Sequence, residues 1–373
     1  MVCEQSRVHD PSVLPPGLPA PLDDGACMHL RGRPLPDLEL PSTGECPVRL
    51  SDIAAGRSAA VLFFFPRTSI PGQPPSLGFH GEEWDSVPGA RGCTPQSCGF
   101  RDLHAEFRAL QVCVYGVSTS TTEHQREFRS RQHVPFEFLS DHELRLTSAL
   151  DLPTFRFPIE SGGPNVLLHR MAWLCESTPA RDHGAVTRIR RVWYPVFPPN
   201  ENATRVLEVL REREGLGVRA ASPRDSAFVS KLLAANYSGE VLHSRGRARD
   251  AGTLPALVAS VHDRHVGIAV FDESSADIEV LALAACERGD AAASMLLDAV
   301  EDRARLQGRR RVVMTLANSA LDALAFAQRR GYAISQVRRG MFDWYRTAHA
   351  AIPRVDSNGV PIRDEIELEL ALD

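Results

Sequence analysis

Pro88-Gly-Ala-Arg-Gly-Cys93-Thr-Pro-Gln-Ser-Cys98-Gly-Phe-Arg-Asp102 carries two cysteines five residues apart, ahead of apolar residues at Phe100, Leu103, Phe107 and Leu110. That spacing is a helical period, so Cys93 lies at or near a helix N-terminus. Unpaired amides and the positive end of the helix dipole favour a thiolate there, with Arg91 two residues before and Arg101 further along. A thiol of that kind with a second cysteine nearby describes a redox pair better than packing residues.

Outward from this element, Ala59 to Phe65 is a nearly unbroken apolar run, as expected of a strand buried on both faces. Gln111 to Ser118 reads as a second strand, Thr122 to Gln132 as a helix and Phe136 to Asp141 as a third strand. Asn165 to Cys175 and Arg188 to Tyr194 read as a closing hairpin, and Asn202 to Arg213 as a last helix. This alternation predicts an α/β sandwich around a central sheet. The Gly- and Pro-rich stretch from Ser69 to Ala90 is long for a compact domain and reads as a lid or an embellishment near the site. Residues 1–33 are proline-rich and aperiodic, hence expected to be disordered or loosely attached.

A length of 373 residues suggests two domains. The net charge of -5 excludes the basic balance of a nucleic-acid binder. The longest apolar run is too short for a membrane span, and the N-terminus lacks a signal-peptide pattern, so a cytoplasmic protein is expected. Eight scattered cysteines fit neither a disulfide scaffold nor paired zinc knuckles, and no metal is expected. Cys113 and Cys175 lie in strand-like runs and read as core residues.

Glu212 to Gly217 marks a boundary, giving expected domains at 34–213 and 217–373. Beyond it, Ser222 and Pro223 form a helix start. Leu254 to Val261, Val266 to Asp272, Asp277 to Ala284, Arg311 to Leu316 and Tyr332 to Arg338 read as strands. Helices are expected at 291–307 and 320–330. Arg363 to Leu372 alternates strictly, predicting a strand with one solvated face.

The first domain resembles the peroxiredoxins of the peroxiredoxin Q, or bacterioferritin comigratory, type, which have a thioredoxin-like fold. The resemblance rests on Phe64-Phe-Pro66, the Cys93 to Cys98 element with Phe100-Arg-Asp102, Tyr115-Gly-Val-Ser118, Phe138-Leu-Ser-Asp141 and Arg170. It implies a thiol peroxidase that takes hydrogen peroxide or organic hydroperoxides and needs no cofactor beyond a thiol reductant, here a thioredoxin-like protein. Cys93 is then the peroxidatic cysteine, Cys98 the resolving one, and Arg170 the cation over sulfur and leaving oxygen. The family's Thr or Ser three residues before the cysteine is replaced by Ala90, so Thr68 or Ser69 is expected to supply that hydroxyl. Five residues of helix give a rise of about 7.5 Å, whereas a disulfide holds its Cα atoms within roughly 7 Å. The helix start must therefore unwind before the two sulfurs meet.

The second domain resembles the GNAT acyltransferases, on the strand Glu279 to Ala284, Arg288-Gly-Asp-Ala-Ala-Ala293, Asn318 and Ala325 to Tyr332. The resemblance implies a mixed central sheet that binds acetyl-CoA through Leu281, Leu283, Arg288, Gly289, Ala291, Ala293 and Asn318, with an amine as acyl acceptor. Ala291 replaces a usual glycine, and Ala327 a tyrosine that protonates the departing thiolate. The alternatives are an N-acyltransferase regulated by the thiol domain, and a non-enzymatic redox-sensing binding protein. Arg309 to Arg311 reads as a solvated loop, and His243, His262 and His265 as ordinary histidines.

Overall fold

The computed structural model describes residues 10–70, 82–157, 164–181, 184–273, 276–287 and 289–372. The chain divides into two compact units, residues 1–178 with 185–210, and residues 179–184 with 211–373.

The first unit contains strands β1 (Glu39–Leu40), β2 (Val48–Arg49), β3 (Ala59–Phe64), β4 (Val112–Ser118), β5 (Glu137–Ser140), β6 (Thr154–Arg156), β7 (Val166–Leu168), β8 (Met171–Ala180) and β9 (Gly184–Trp193). Its helices are α1 (Glu82–Ser86), α2 (Cys93–Asp102), α3 (His104–Ala109), α4 (Thr122–Arg131), α5 (Arg145–Leu150) and α6 (Asn202–Arg213). The main sheet has the order β5-β4-β3-β8-β9, with β3 parallel to β4 and antiparallel to β8. Every residue of β3 is buried, and the two-residue strand period divides its side chains between two cores. Ala60, Leu62 and Phe64 pack with Leu30, Val117 and Trp173. Ala59, Val61 and Phe63 pack on the other face with Phe65, Cys93, Phe100, Phe138 and Val206. The Phe63 and Phe100 rings stack at 4.4 Å, which anchors α2 to the sheet. Gly116 of β4 permits this closeness, because a Cβ there would collide with Phe138 and Phe63.

Of the proline-rich N-terminal segment, residues 1–9 lie outside the described ones, and the rest departs from expectation. Cys27 and Leu30 lie in the first core, and Gly32 and Leu35 bond to Ile189 and Thr187. Apolar side chains too sparse to show a period still bury enough surface to hold the segment. Of the Gly- and Pro-rich stretch, residues 71–81 lie outside the described ones. Residues 82–90 form α1 and a turn, with Trp84 buried against Ala90, Phe157 and Leu167.

The second unit contains β10 (Leu216–Ala220), β11 (Val241–Ser244), β12 (Arg247–Asp250), β13 (Ala256–Val261), β14 (Arg264–Asp272), β15 (Ile278–Ala285), β16 (Arg311–Ala317), β17 (Ala333–Arg338) and β18 (Glu365–Ala371). Its helices are α7 (Ser226–Asn236), α8 (Gly289–Leu306), α9 (Leu321–Arg329) and α10 (Met341–Ala348). The seven-stranded sheet has the order β10-β13-β14-β15-β16-β18-β17. It is mixed: β15 and β16 run parallel, while β14 with β15 and β16 with β18 are antiparallel. The parallel pair is short, matching only Ile278–Val280 with Val312–Met314. Beyond it, Leu281–Ala285 of β15 pairs with β14 alone, and a register shift at Val270/Phe271 lies opposite Leu281. The two parallel strands therefore part at their C-terminal ends.

The face of β18 expected to be solvated is buried. Glu365 is 1% and Glu367 4% exposed. Arg245 and Arg338 both pair with Glu367, and Arg338 also with Glu365. Burial pushes the Glu367 carboxyl up, but the two guanidiniums outweigh it and hold the group down at about 2. An alternating acidic strand reads as solvated because its basic partners are distant in sequence.

Candidate functional site

Cys93 is the first residue of α2, and Gly92 before it has φ +107 with no side-chain cap on the helix. A Cβ at Gly92 would collide with Pro199, so both the torsion and the contact demand glycine. Cys93 is 4% exposed, with its sulfur 3.7 Å from the Ala90 carbonyl. Arg170, one residue before β8, is 2% exposed and places Nη2 at 3.3 Å from that sulfur.

Arg170 is held on several sides. Its Nη2 donates to the carbonyls of Ala90 (3.0 Å) and Arg91 (3.3 Å), and its Nε to that of Gly89 (3.2 Å). Its Nη1 donates to Gln96 Oε1, and Gln96 Nε2 donates to Asn202 Oδ1 at 2.9 Å. Gln96 and Asn202 are both buried. The guanidinium is thus fixed against the sulfur, where negative charge would gather on a thiolate and a departing oxygen. Gln96 lay inside the quoted element but was not singled out, and Asn202 carries no local signal.

Cys98 is half-buried further along α2, its thiol facing Gln132 Oε1 at 3.6 Å. Burial pushes its thiol up, partly offset by Arg101. Both cysteines are free. Between them, the hydroxyls of Thr94 and Ser97 are buried without a hydrogen-bond partner among the described residues.

Three expected contributors are placed differently. The Arg91 guanidinium donates to the carbonyls of Asp10 (2.8 Å) and Val13 (2.9 Å) and faces Asp85, so its charge is spent away from the sulfur. Arg101 bonds to Asp102 and the Gln132 carbonyl. The Thr68 hydroxyl is 3.0 Å from His124 Nε2, a ring nitrogen that also lies 2.9 Å from the Thr68 carbonyl. Burial, with Arg67 beside it, lowers the His124 imidazole to about 4. Thr68 is therefore engaged with His124.

In the second unit, Gly289 opens the eighteen-residue helix α8, and nothing lies within 4 Å of where its Cβ would be. Ala291 is buried and Ala293 half-buried, while Arg288 lies outside the described residues. Leu281 and Leu283 lie on β15 where it parts from β16. The Leu283 backbone there is already occupied: its carbonyl accepts from the Tyr237 hydroxyl (2.9 Å) and its N–H donates to that oxygen (2.8 Å). Asn318 does not face this gap freely, because its Nδ2 donates to the Pro361 carbonyl and its Oδ1 accepts from the N–H groups of Arg363 and Asp364. It ties the end of β16 to the approach of β18. Ala327 is fully buried in the core, so that position offers no acid.

His265 is not a bystander. Its Nε2 is 3.0 Å from Asp225 Oδ1 and its Nδ1 2.9 Å from Ser260 Oγ. Asp225 is already taken by Arg219 and by a capping box with Ser222, so the trio ties the β13–β14 hairpin to the start of α7. Arg311, the first residue of β16, pairs with Asp277 and Glu369. Among the described residues no three or more His, Cys, Asp or Glu side chains converge to hold a metal, and no helix is long and apolar enough to cross a membrane.

Residues 30–174 match the family model described as Redoxin. Among its relatives, Peroxiredoxin bcp1 of Schizosaccharomyces pombe is 32% identical over 119 residues, covering 32% of this chain and 50% of that protein. Peroxiredoxin Bcp of Bacillus subtilis is 31% identical over 121 residues, covering 32% and 63%. The chain thus spans only half to under two thirds of these relatives. Among solved structures, a peroxiredoxin Q of Xanthomonas campestris aligns with 23% identity and TM-score 0.34 over 47% of this chain and 90% of its own. An IAA acetyltransferase from Bacillus cereus aligns with 21% identity and TM-score 0.35 over 42% and 99%.

Proposed function

We propose that the first unit is a thiol peroxidase that reduces hydrogen peroxide or organic hydroperoxides. The observation that carries this reading is the Arg170 guanidinium fixed 3.3 Å from a cysteine sulfur at a helix start. The Cys93 thiolate attacks one peroxide oxygen, the O–O bond breaks, and the second oxygen leaves as alkoxide or hydroxide and takes a proton. Arg170 stabilises the developing charge, and the free amides of the first turn add donors. The resulting Cys93 sulfenic acid condenses with the Cys98 thiol, forming the S–S bond and releasing water. A thioredoxin-like dithiol then reduces the disulfide by exchange.

Both sulfurs sit on one continuous helix, so condensation requires its start to unwind. Thr94 and Ser97 supply a reason for it to do so. A buried hydroxyl without a partner costs about 1–3 kcal/mol, which is recovered when water reaches it. The helix between the cysteines is thus folded at a penalty.

Intact mass after one equivalent of peroxide tests the proposal. The wild type should lose two hydrogens, and Cys98→Ser should gain one oxygen at Cys93. A Cys93 that stays unoxidised in both would sink it.

The parting of β15 and β16 beside the start of α8 favours a second reading for the other unit, the binding of acetyl-CoA. The Gly289 to Ala291 amides would meet the pyrophosphate, and the strand at Leu281 and Leu283 would line the thioester arm. Acetyl-CoA supplies an activated acyl group for an amine acceptor; Ala327 contributes no proton to that chemistry. Calorimetric titration with acetyl-CoA should show saturable binding, and its absence would discard this reading.

A further inference from the structure

The turn leading into Cys93 is fastened from outside the helix. Arg91 is 7% exposed and its guanidinium donates to the carbonyls of Asp10 and Val13. Leu14 rests against Gly92, its Cδ2 3.0 Å from where a Cβ would stand. Pro21 covers Gly89 in the same way, its Cγ at 3.2 Å. Asp85 adds a carboxylate to Arg91 from α1. The segment from Asp10 to Pro21 therefore lies along Gly89–Cys93, the backbone that must move if α2 is to unwind.

We infer that this segment is a strap on the peroxidatic turn, with Arg91 as its positioning residue, and that its release gates the pairing of Cys93 with Cys98. The inference rests on the peroxidase reading above. The first oxidation occurs with the helix folded and Arg170 in place, so the strap leaves it unaffected. The condensation of the sulfenic acid with Cys98 requires the turn to leave the Asp10 and Val13 carbonyls. While the strap holds, the Cys93 sulfenic acid is exposed to a second peroxide. That reaction adds one oxygen to sulfur as sulfinic acid and releases water or an alcohol. A fastened turn therefore trades resolution for over-oxidation, and the ratio of disulfide to sulfinic acid reports the strap.

Rapid-quench mass spectrometry of the full chain separates the two steps. Arg91→Met removes the fork, and Leu14→Ser loosens the segment without touching Arg91. Each should form sulfenic acid at the wild-type rate, within a factor of two. Each should form the disulfide faster, roughly fivefold or more for the loss of two charge-assisted hydrogen bonds in Arg91→Met and less for Leu14→Ser. Each should also accumulate less sulfinic acid in excess peroxide. Sulfenic acid forming normally with an unchanged disulfide rate in both variants would overturn the strap while leaving the peroxidase. A disulfide rate that falls together with the first step would mean that Arg91 merely holds the fold. No oxidation at Cys93 in any protein would remove the peroxidase reading and the strap with it.

Discussion

The two units treat their candidate functional groups in opposite ways. In the first, the chain assembles a fixed cation and a helix start around one sulfur and leaves that sulfur with only weak partners of its own. In the second, the corresponding groups are spent on the fold: Asn318 ties two segments, the Leu283 backbone is matched by Tyr237, and Ala327 is core. A reactive group needs a neighbourhood that is satisfied while the group itself is not. The first unit meets this condition at Arg170, though not at the Thr94 and Ser97 hydroxyls, and the second presents a gap where the Leu283 backbone is already matched.

Replacing the cation should break the contrast most severely. Arg170→Met should slow the oxidation of Cys93 by roughly 10²-fold or more, as removal of a preorganised donor does elsewhere. Arg170→Lys should recover part of this rate, since it keeps the charge and loses the fork. Stopped-flow peroxide consumption measures both. If Arg170→Met oxidises at the wild-type rate, the first unit is no better prepared than the second.

The orphan hydroxyls come next. Thr94→Val and Ser97→Ala remove hydroxyls that have no partner among the described residues, so the folded helix should gain about 1 kcal/mol. Disulfide formation after peroxide should slow by roughly fivefold in each variant, while sulfenic acid formation holds. A faster disulfide would show that the hydroxyls do not strain the helix.

The imidazole of His124 gives the first unit a pH signature. Its pKa is about 4 folded, against 6.5 when free, so the unfolded chain binds more protons. The stability that His124 contributes is complete above pH 6.5 and is lost as pH falls from there toward 4. The loss should reach about 2 kcal/mol near pH 5. Urea unfolding at pH 7.5 and 5, compared between wild type and His124→Gln, should show the slope shrink in the variant. An equal slope in both would place the titration elsewhere.

The smallest effect sharpens the second half of the comparison. Asn318→Ala should cost about 1–2 kcal/mol of the second unit's stability and leave acetyl-CoA affinity unchanged. A selective loss of affinity at constant stability would return Asn318 to the cofactor site, as its sequence position suggested.

The sequence carried much of this, but unevenly. The β3 run, the placement of Cys93 at a helix start and the match to Arg170 are local patterns or single residues within one, and the structure brings them together. The strands from Ala256 to Asp272 and from Ile278 to Ala285 were legible because apolar side chains repeat along them. What was not legible depends on distant partners. Asp10 and Val13 hold Arg91 through backbone carbonyls, which have no sequence signature. Glu365 and Glu367 looked solvated because Arg245 and Arg338 come from other elements. The β11–β12 hairpin was missed because only Val241 and Leu242 among its residues are large and apolar. The role expected of Thr68 assumed a hydroxyl without a partner, and His124 is its partner, 56 residues away.

Gly92 closes one route that protein engineers commonly use. A Ser or Asp placed before a helix usually adds about 1 kcal/mol by capping it. Here the left-handed torsion and the ring of Pro199 bar any side chain from that position. Thermostabilised versions of this protein will have to be reinforced elsewhere, because the junction beside Cys93 leaves no room for a side chain.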